Sequence, residues 1–325
     1  MSDGPLTLSI GCGAYDRTWP LIAKTIEVEG VDLNWEILPP EPVFLRGMVN
    51  REFDLAEMSF STYLLQFSRG DNPYTAIPVY PSRAFRHSAI YIRADVGIEK
   101  PEDLKGRAIG VPEYQLTANV WARGILADEY GVKPEDVNWL IGDIDEVGRK
   151  EKVPVELPTR IPNRAIGDGQ TLWSLMQVGE IDAIIAPRAP RAFSEGDPGI
   201  RRLFVDVKSA EQAYFQKTGI FPIMHLLGIR NDVLAENPTL PARLFKAFEA
   251  ARTHAQQELN QVAYFYVMLP WLVDHMKEIT DLMGPDYWTY GLEQNRKVLE
   301  TMCRYSFEQG MAKRLIAPEE LFAKV

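Results

Sequence analysis

Arginines gather in this sequence beside turns and predicted strand ends: Arg17 after the first apolar run, Arg83 and Arg86 just before His87, and Arg188 and Arg191 after Ile184-Ile-Ala-Pro. Ligands of open α/β sheets bind at the carboxyl ends of strands, and a guanidinium there can donate two parallel hydrogen bonds to a carboxylate. Any one of these arginines also suits a surface or interlobe salt bridge, but their recurrence points to an anionic ligand. Two of the four histidines have unusual neighbours. His87 enters a strand in Phe85-Arg-His-Ser-Ala-Ile-Tyr-Ile-Arg93, and His225 is embedded in the apolar run Phe221-Pro-Ile-Met-His-Leu-Leu-Gly-Ile-Arg230. An imidazole in such a run is partly desolvated, which lowers its pKa unless an anion compensates. Each therefore suits proton transfer or a satisfied core position. His254 and His275 lie in helical sequence and read as surface or packing residues.

Ser59 and Ser61, in Glu57-Met-Ser-Phe-Ser-Thr-Tyr63, sit where a strand ends and a helix begins, and Tyr114, Gln115 and Thr117, in Glu113-Tyr-Gln-Leu-Thr-Ala118, repeat that arrangement further on. Hydroxyls beside a helix N-terminus make an anion-binding corner, or an ordinary helix cap. Two such termini across a cleft would suit a doubly anionic ligand. Other chemistries lack their motifs. Gly11-Cys-Gly13 has no third glycine of a dinucleotide fingerprint, and no Gly-rich loop ends in Gly-Lys-Ser/Thr. The histidines are too dispersed for a zinc-binding pattern, and no G-x-S-x-G elbow is present. No metal is expected.

The elements that must position these residues read as α/β. Leu6 to Cys12 alternates like a strand and runs into a tight loop, helical signals follow near 19–27, a strand at 31–38, and then the break Pro39-Pro-Glu-Pro42. A second start comes at Asp103-Leu-Lys-Gly-Arg-Ala-Ile-Gly-Val, with a strand at 108–111 and a helix at 116–130 stopped by Gly131 and Pro134. Met48-Val-Asn-Arg-Glu-Phe-Asp-Leu-Ala recurs as Met176-Gln-Val-Gly-Glu-Ile-Asp-Ala-Ile, about one domain length later. That recurrence suggests two lobes of similar construction. Residues 142–169 are polar and broken by Pro154, Pro158 and Pro162, so a long loop is expected. From Pro238 on the pattern is mostly helical, with aromatics such as Phe245, Phe248, Tyr264, Phe265, Tyr266, Trp271, Tyr287, Trp288 and Tyr290 suited to a core or a subunit interface. A homo-oligomer is expected.

With 325 residues, 46% of them hydrophobic, the chain is long enough for two domains. Its net charge of −10 disfavours nucleic acid and anionic lipid as partners. No apolar run reaches membrane-spanning length and the start lacks secretory character, so a cytoplasmic protein without membrane contact is expected. Cys12 and Cys303 read as reduced thiols in such a compartment.

Tyr15-Asp-Arg17, Glu57-Met-Ser-Phe-Ser-Thr-Tyr63, Phe85-Arg-His-Ser88, Val111-Pro-Glu-Tyr-Gln-Leu-Thr-Ala118 with Trp121 and Arg123-Gly124, and Phe221-Pro-Ile-Met-His225 together resemble the 4,5-dihydroxyphthalate decarboxylase family. The resemblance extends over most of the chain. It implies the two-lobed α/β fold of type 2 periplasmic binding proteins, with a ligand cleft between lobes and C-terminal helices. Lobe 1 would comprise residues 1–93 and 228–325, and lobe 2 residues 94–227, with hinges near 92–96 and 222–228. It also implies a cofactor-independent decarboxylase acting on a small aromatic dicarboxylate. His87 or His225 would donate the proton, and Arg17, Arg83 and Arg86, with Ser59 or Ser61, would recognise carboxylate. The main alternative on the same scaffold is a solute-binding protein for an aromatic or dicarboxylic acid. A pyrimidine synthase that consumes its own histidine would need a Cys-rich iron-binding segment, which this sequence lacks.

Overall fold

The computed structural model describes residues 4–148, 151 and 153–325. The first three residues, part of the seven-residue start that lacks secretory character, and positions 149, 150 and 152 of the expected long loop lie outside this set. The strands in chain order are β1 (Leu6–Cys12), β2 (Val31–Ile37), β3 (Leu55–Ser59), β4 (Tyr74–Arg83), β5 (Ile90–Arg93), β6 (Ala108–Val111), β7 (Asn138–Ile141), β8 (Asn163–Ala165), β9 (Ala183–Ile185), β10 (Ile200–Arg202) and β11 (Ile223–Arg230). They form two sheets, ordered β2-β1-β3-β11-β4 and β10-β5-β9-β6-β7-β8.

The chain divides into two compact units. Unit 1 runs to Arg83 and includes Ile223–Glu300 and Ile316–Val325, whereas unit 2 is Ala84–Pro222 with Thr301–Leu315. The expected boundaries at 93/94 and 227/228 therefore shift to 83/84 and 222/223. β5 belongs to the second sheet because it pairs antiparallel with β9 and β10. The last part of the helix Arg296–Glu308 also belongs to unit 2, so the C-terminal helices are shared.

Within each unit the repeated motif has one structural duty. Asp54, just before β3, accepts hydrogen bonds from Ser9 N and Ser9 Oγ, both at 2.8 Å, tying β3 to its parallel neighbour β1. Asp182, just before β9, accepts from Ala108 N at 3.3 Å and ties β9 to its parallel neighbour β6. The recurrence is thus a structural repeat, in which a carboxylate satisfies a strand-edge N–H that no ladder partner reaches. Both sheets are nonetheless mixed. β11 runs antiparallel to β3, and β5 antiparallel to β9, because each is the first strand after the chain crosses from the other unit.

Some local expectations change. Helix at 19–27 is confined to Trp19–Ile22, since Thr25 N and Ile26 N both turn back to Pro20 O. The expected loop at 142–169 contains β8, a short parallel addition to β7. The helix in 116–130 spans Thr117–Tyr130 and ends on Gly131 in the left-handed conformation, φ 65°. It carries Arg123-Gly124, whose duty is packing. Arg123 is buried, donates to Gln309 Oε1 at 2.8 Å and Tyr114 O at 2.7 Å, and stacks 3.7 Å from the Tyr114 ring centroid. A Cβ at Gly124 would lie 2.2 Å from the Tyr305 ring, which explains glycine there. Phe248 and Tyr290 are core residues, but Tyr264, Phe265 and Trp271 are exposed. Among the described residues no helix is long and apolar enough to cross a membrane.

Candidate active site

Period-2 geometry places Glu57 and Ser59 on one face of β3, and the antiparallel register sets His225 of β11 directly opposite Ser59. Glu57 is therefore the diagonal neighbour of His225 on the same face, close enough for long side chains to meet. They do: His225 Nδ1 lies 2.6 Å from Glu57 Oε1. The Tyr15 hydroxyl donates to the same oxygen at 2.8 Å, while Gly13 N donates to Oε2 at 3.0 Å and Cys12 Sγ–H at 3.4 Å. Gly13 must be glycine, because a Cβ would fall 2.5 Å from the Tyr15 ring that reaches over it.

The electrostatics of this cluster follow from one buried anion. Burial alone would raise the Glu57 carboxyl, but the hydrogen bond and charge of His225, with Gly13 N–H and Tyr15, hold it below the usual carboxylate value. Burial and then the Glu57 charge push the Tyr15 phenol and the Cys12 thiol far upward, so both stay protonated donors. The His225 ring keeps 15% of its side-chain surface exposed while Glu57 keeps none. The Phe44 ring meets the imidazole edge-on at 4.8 Å. With Nδ1 committed to the carboxylate, Nε2 is the ring nitrogen left for a reacting group.

Arg17 is held beside this cluster. Its guanidinium lies between the rings of Tyr15 and Trp288, at 4.3 and 4.2 Å, a cation–π sandwich. Nε donates to Pro81 O at 2.6 Å and Nη1 pairs with Asp16 at 2.8 Å. Ser59 and Ser61 flank the start of the helix Phe60–Arg69, with their hydroxyl oxygens 3.5 Å apart. Unit 1 thus brings together Arg17, Ser59, Ser61 and His225 among the expected residues. Glu57, the centre of the cluster, stood in a quoted motif without a role, as did Tyr15, and Trp288 was one of the C-terminal aromatics expected in a core or subunit interface. An acid two residues before a strand-to-helix junction was the available signal for Glu57, but its partner is 168 positions away.

Arg83 has a structural duty. It is buried, with Nη2 donating to Thr289 O at 2.7 Å and to Asn295 Oδ1, and burial lowers its pKa to about 10. The remaining expected residues belong to unit 2. Arg86 is lowered to about 10 by burial, with Glu211 opposing the shift, and stays cationic at neutral pH. Tyr114 is a core side chain between Arg123 and Trp139, and its hydroxyl donates to Gln309 O at 3.5 Å. Gln115 is buried and donates to Glu113 Oε2 at 2.8 Å, and Thr117 is the buried first residue of its helix. Arg188 is 62% exposed and pairs with Asp143 at 3.6 Å. Among the described residues no group of three or more His, Cys, Asp or Glu side chains is arranged to hold a metal ion.

His87 differs from His225 in its surroundings, having no carboxylate beside its ring. It is buried against the rings of Phe204 and Tyr214, its Nδ1 has no hydrogen-bond partner, and burial drives its pKa down to about 4. At neutral pH this imidazole is uncharged. The unfolded chain, near 6.5, binds a proton that the folded state refuses until about 4, so stability is lost as pH falls through that window. Wild type should lose about 2 kcal/mol more than His87→Leu between pH 7 and pH 5. Urea unfolding at both pH values checks this, and parallel losses in the two proteins would refute it.

Comparison with known proteins supplies the family. No family model matches the chain. The 4,5-dihydroxyphthalate decarboxylase of Comamonas testosteroni is 42% identical over 317 residues, covering 98% of this chain and 96% of that protein. The 4,5-dihydroxyphthalate decarboxylase of Pseudomonas putida is 43% identical over 211 residues, covering 65% of this chain and 82% of that protein. Among solved structures, the periplasmic aliphatic sulphonate binding protein SsuA from Escherichia coli aligns with a TM-score of 0.55 at 14% identity, covering 99% of this chain and 93% of that one. The alkanesulfonate-binding protein SsuA from Xanthomonas axonopodis pv. citri aligns at 0.53 and 12%, covering 99% of each. At such identities these two speak for the α/β fold of periplasmic binding proteins and for nothing finer. Identity sustained over nearly the whole length of an enzyme is a different kind of evidence, and by it this chain belongs to the 4,5-dihydroxyphthalate decarboxylase family, whose members are carboxy-lyases.

Proposed function

We propose that this chain converts 4,5-dihydroxyphthalate to 3,4-dihydroxybenzoate and CO2 in aromatic catabolism, with His225 donating the proton and Arg17 gripping carboxylate. The observation that carries the reading is the buried Glu57 carboxylate 2.6 Å from His225 Nδ1. Such a partner fixes the ring orientation and stabilises the imidazolium, as the carboxylate does in a catalytic triad.

Simple loss of CO2 from an aromatic ring would leave an aryl anion. Protonation of the ring carbon first avoids it. Each carboxylate of this substrate stands para to a hydroxyl, which pushes electron density toward the carbon being protonated. The Nε2 proton of His225 goes to that carbon, the carbon–carboxylate bond breaks, its electron pair restores the aromatic ring, and CO2 departs. Solvent then reprotonates the imidazole. The chemistry needs no electron sink beyond the protonated ring.

Arg17, fixed by Tyr15, Trp288, Pro81 and Asp16, offers a preorganised cation for a carboxylate. Ser59 and Ser61 add hydroxyls at the positive end of the helix Phe60–Arg69. Cys12 and Cys303 are buried thiols outside any disulfide, which suits work in the reducing cytoplasm. Aromatic side chains left exposed in the C-terminal third support assembly into a homo-oligomer.

Incubating the purified chain with 4,5-dihydroxyphthalate tests the reaction. Equimolar CO2 and 3,4-dihydroxybenzoate are expected. Saturable binding of unchanged substrate would mark a solute receptor and overturn the proposal.

A further inference from the structure

Building on the homo-oligomer reading, we infer that the segment 261–273 is the surface through which this chain joins a second copy of itself. The run QVAYFYVMLPWLV contains no charged residue, in a chain of which 25% is charged. Residues 261–271 link the helices Leu240–Leu259 and Leu272–Met283 without regular structure, and Leu272 and Val273 open the second helix. Nearly all of the run faces water. Met268 is 101% exposed, Val262 73% and Trp271 69%, and Tyr264, Phe265 and Leu269 are about half exposed. Scattered exposed apolar side chains are ordinary, but a contiguous group of this kind is not.

Size favours a protein partner. Large side chains present about 150–250 Å² each, so the exposed apolar surface here is on the order of 900 Å². The largest patch on a typical monomer is roughly 300–600 Å². A standard interface takes about 800 Å² from each partner. The composition agrees as well: interface cores are enriched in Tyr, Trp, Phe and Met and depleted in charge.

Charge argues against lipid, the other surface that such a segment could cover. Interfacial membrane segments add Lys and Arg toward anionic headgroups. This one has none, is flanked by Glu258 and Asp274, and belongs to a chain of net charge −10. A patch with no charge to match or oppose can meet its own copy across a two-fold axis without repulsion. Met268 and Trp271 are its most projecting large side chains, and hence the anchors.

Light scattering after size exclusion at about 20 µM tests this, on wild type and on the double variants Met268→Ser/Trp271→Ser and Val262→Ser/Tyr264→Ser, with circular dichroism to confirm folding. These positions are exposed, so the variants should fold. Wild type should appear at a multiple of 36.9 kDa, and each variant should dissociate at least 100-fold more readily. Folded variants that remain oligomeric would overturn this surface while leaving the oligomer intact, whereas a monomeric wild type would overturn both. Co-flotation of wild type with phosphatidylcholine–phosphatidylglycerol vesicles would also overturn it, in favour of a lipid surface. CO2 release is read in parallel, so failure of the decarboxylase reading shows separately.

Discussion

Replacing His225 by Asn should lower kcat for CO2 release by roughly 10²–10⁴-fold, the usual contribution of a positioned general acid. KM should change by less than about tenfold, because a group that acts in the transition state adds little to ground-state binding. The reasoning is geometric. His225 stands on a strand, its Nδ1 is fixed by a buried carboxylate, and its ring retains an accessible edge. Asparagine keeps polarity at the site but carries no transferable proton. Steady-state kinetics with calorimetric titration of substrate checks both halves. Turnover within about threefold of wild type would remove His225 from the mechanism. The His87→Leu protein is the matched control and should retain turnover, since a neutral imidazole without a carboxylate partner is a poor proton donor.

The second large effect is expected at Glu57, a positioning residue that acts through His225. Glu57→Gln keeps size and still offers one acceptor oxygen, but it removes the negative charge on which Tyr15, Gly13, Cys12 and His225 converge. A drop in kcat of about 10²-fold is expected, with KM much less affected. The split between kcat and KM, together with rescue by the conservative variant, separates a positioning role from simple loss of structure. Glu57→Asp, which restores charge on a shorter arm, should recover part of the rate. A Glu57→Gln protein with near-normal kcat would refute the assignment. One with lost activity, lost near-ultraviolet dichroism and no rescue by Glu57→Asp would indicate a purely structural carboxylate.

Much of this molecule is legible in its residues. The alternation in Leu6–Cys12 and the turn residues around 108–111 yield strands, because side-chain period and glycine placement are local properties. Asp54 and Asp182 disclose the repeat because each serves a contact between neighbouring parallel strands. Arg17, Ser59, Ser61 and His225 were visible as candidates for the same reason: strand ends and helix starts announce themselves in short windows.

Local windows could not rank those candidates. Arg83 and Arg17 look alike in sequence, yet one is absorbed by Thr289 and Asn295 and the other is stacked between two rings. His87 and His225 both lie in apolar runs, and only strand register shows which has a carboxylate beside it. A shift of one residue between β3 and β11 would turn His225 to the opposite face of the sheet and dissolve the pair. Trp288 read as one aromatic in a stripe, although its contact with Arg17 joins residues 271 positions apart in the chain.

By itself, then, the sequence determined the α/β class, the doubled construction and the family, since periodicity, repetition and long identity are written along the chain. Tertiary structure alone decided which histidine is partnered, that a buried glutamate stands at the centre, and where unit boundaries fall. Those depend on long-range pairing and burial, and the free energy of a charge is set by what surrounds it in space rather than by its neighbours in order.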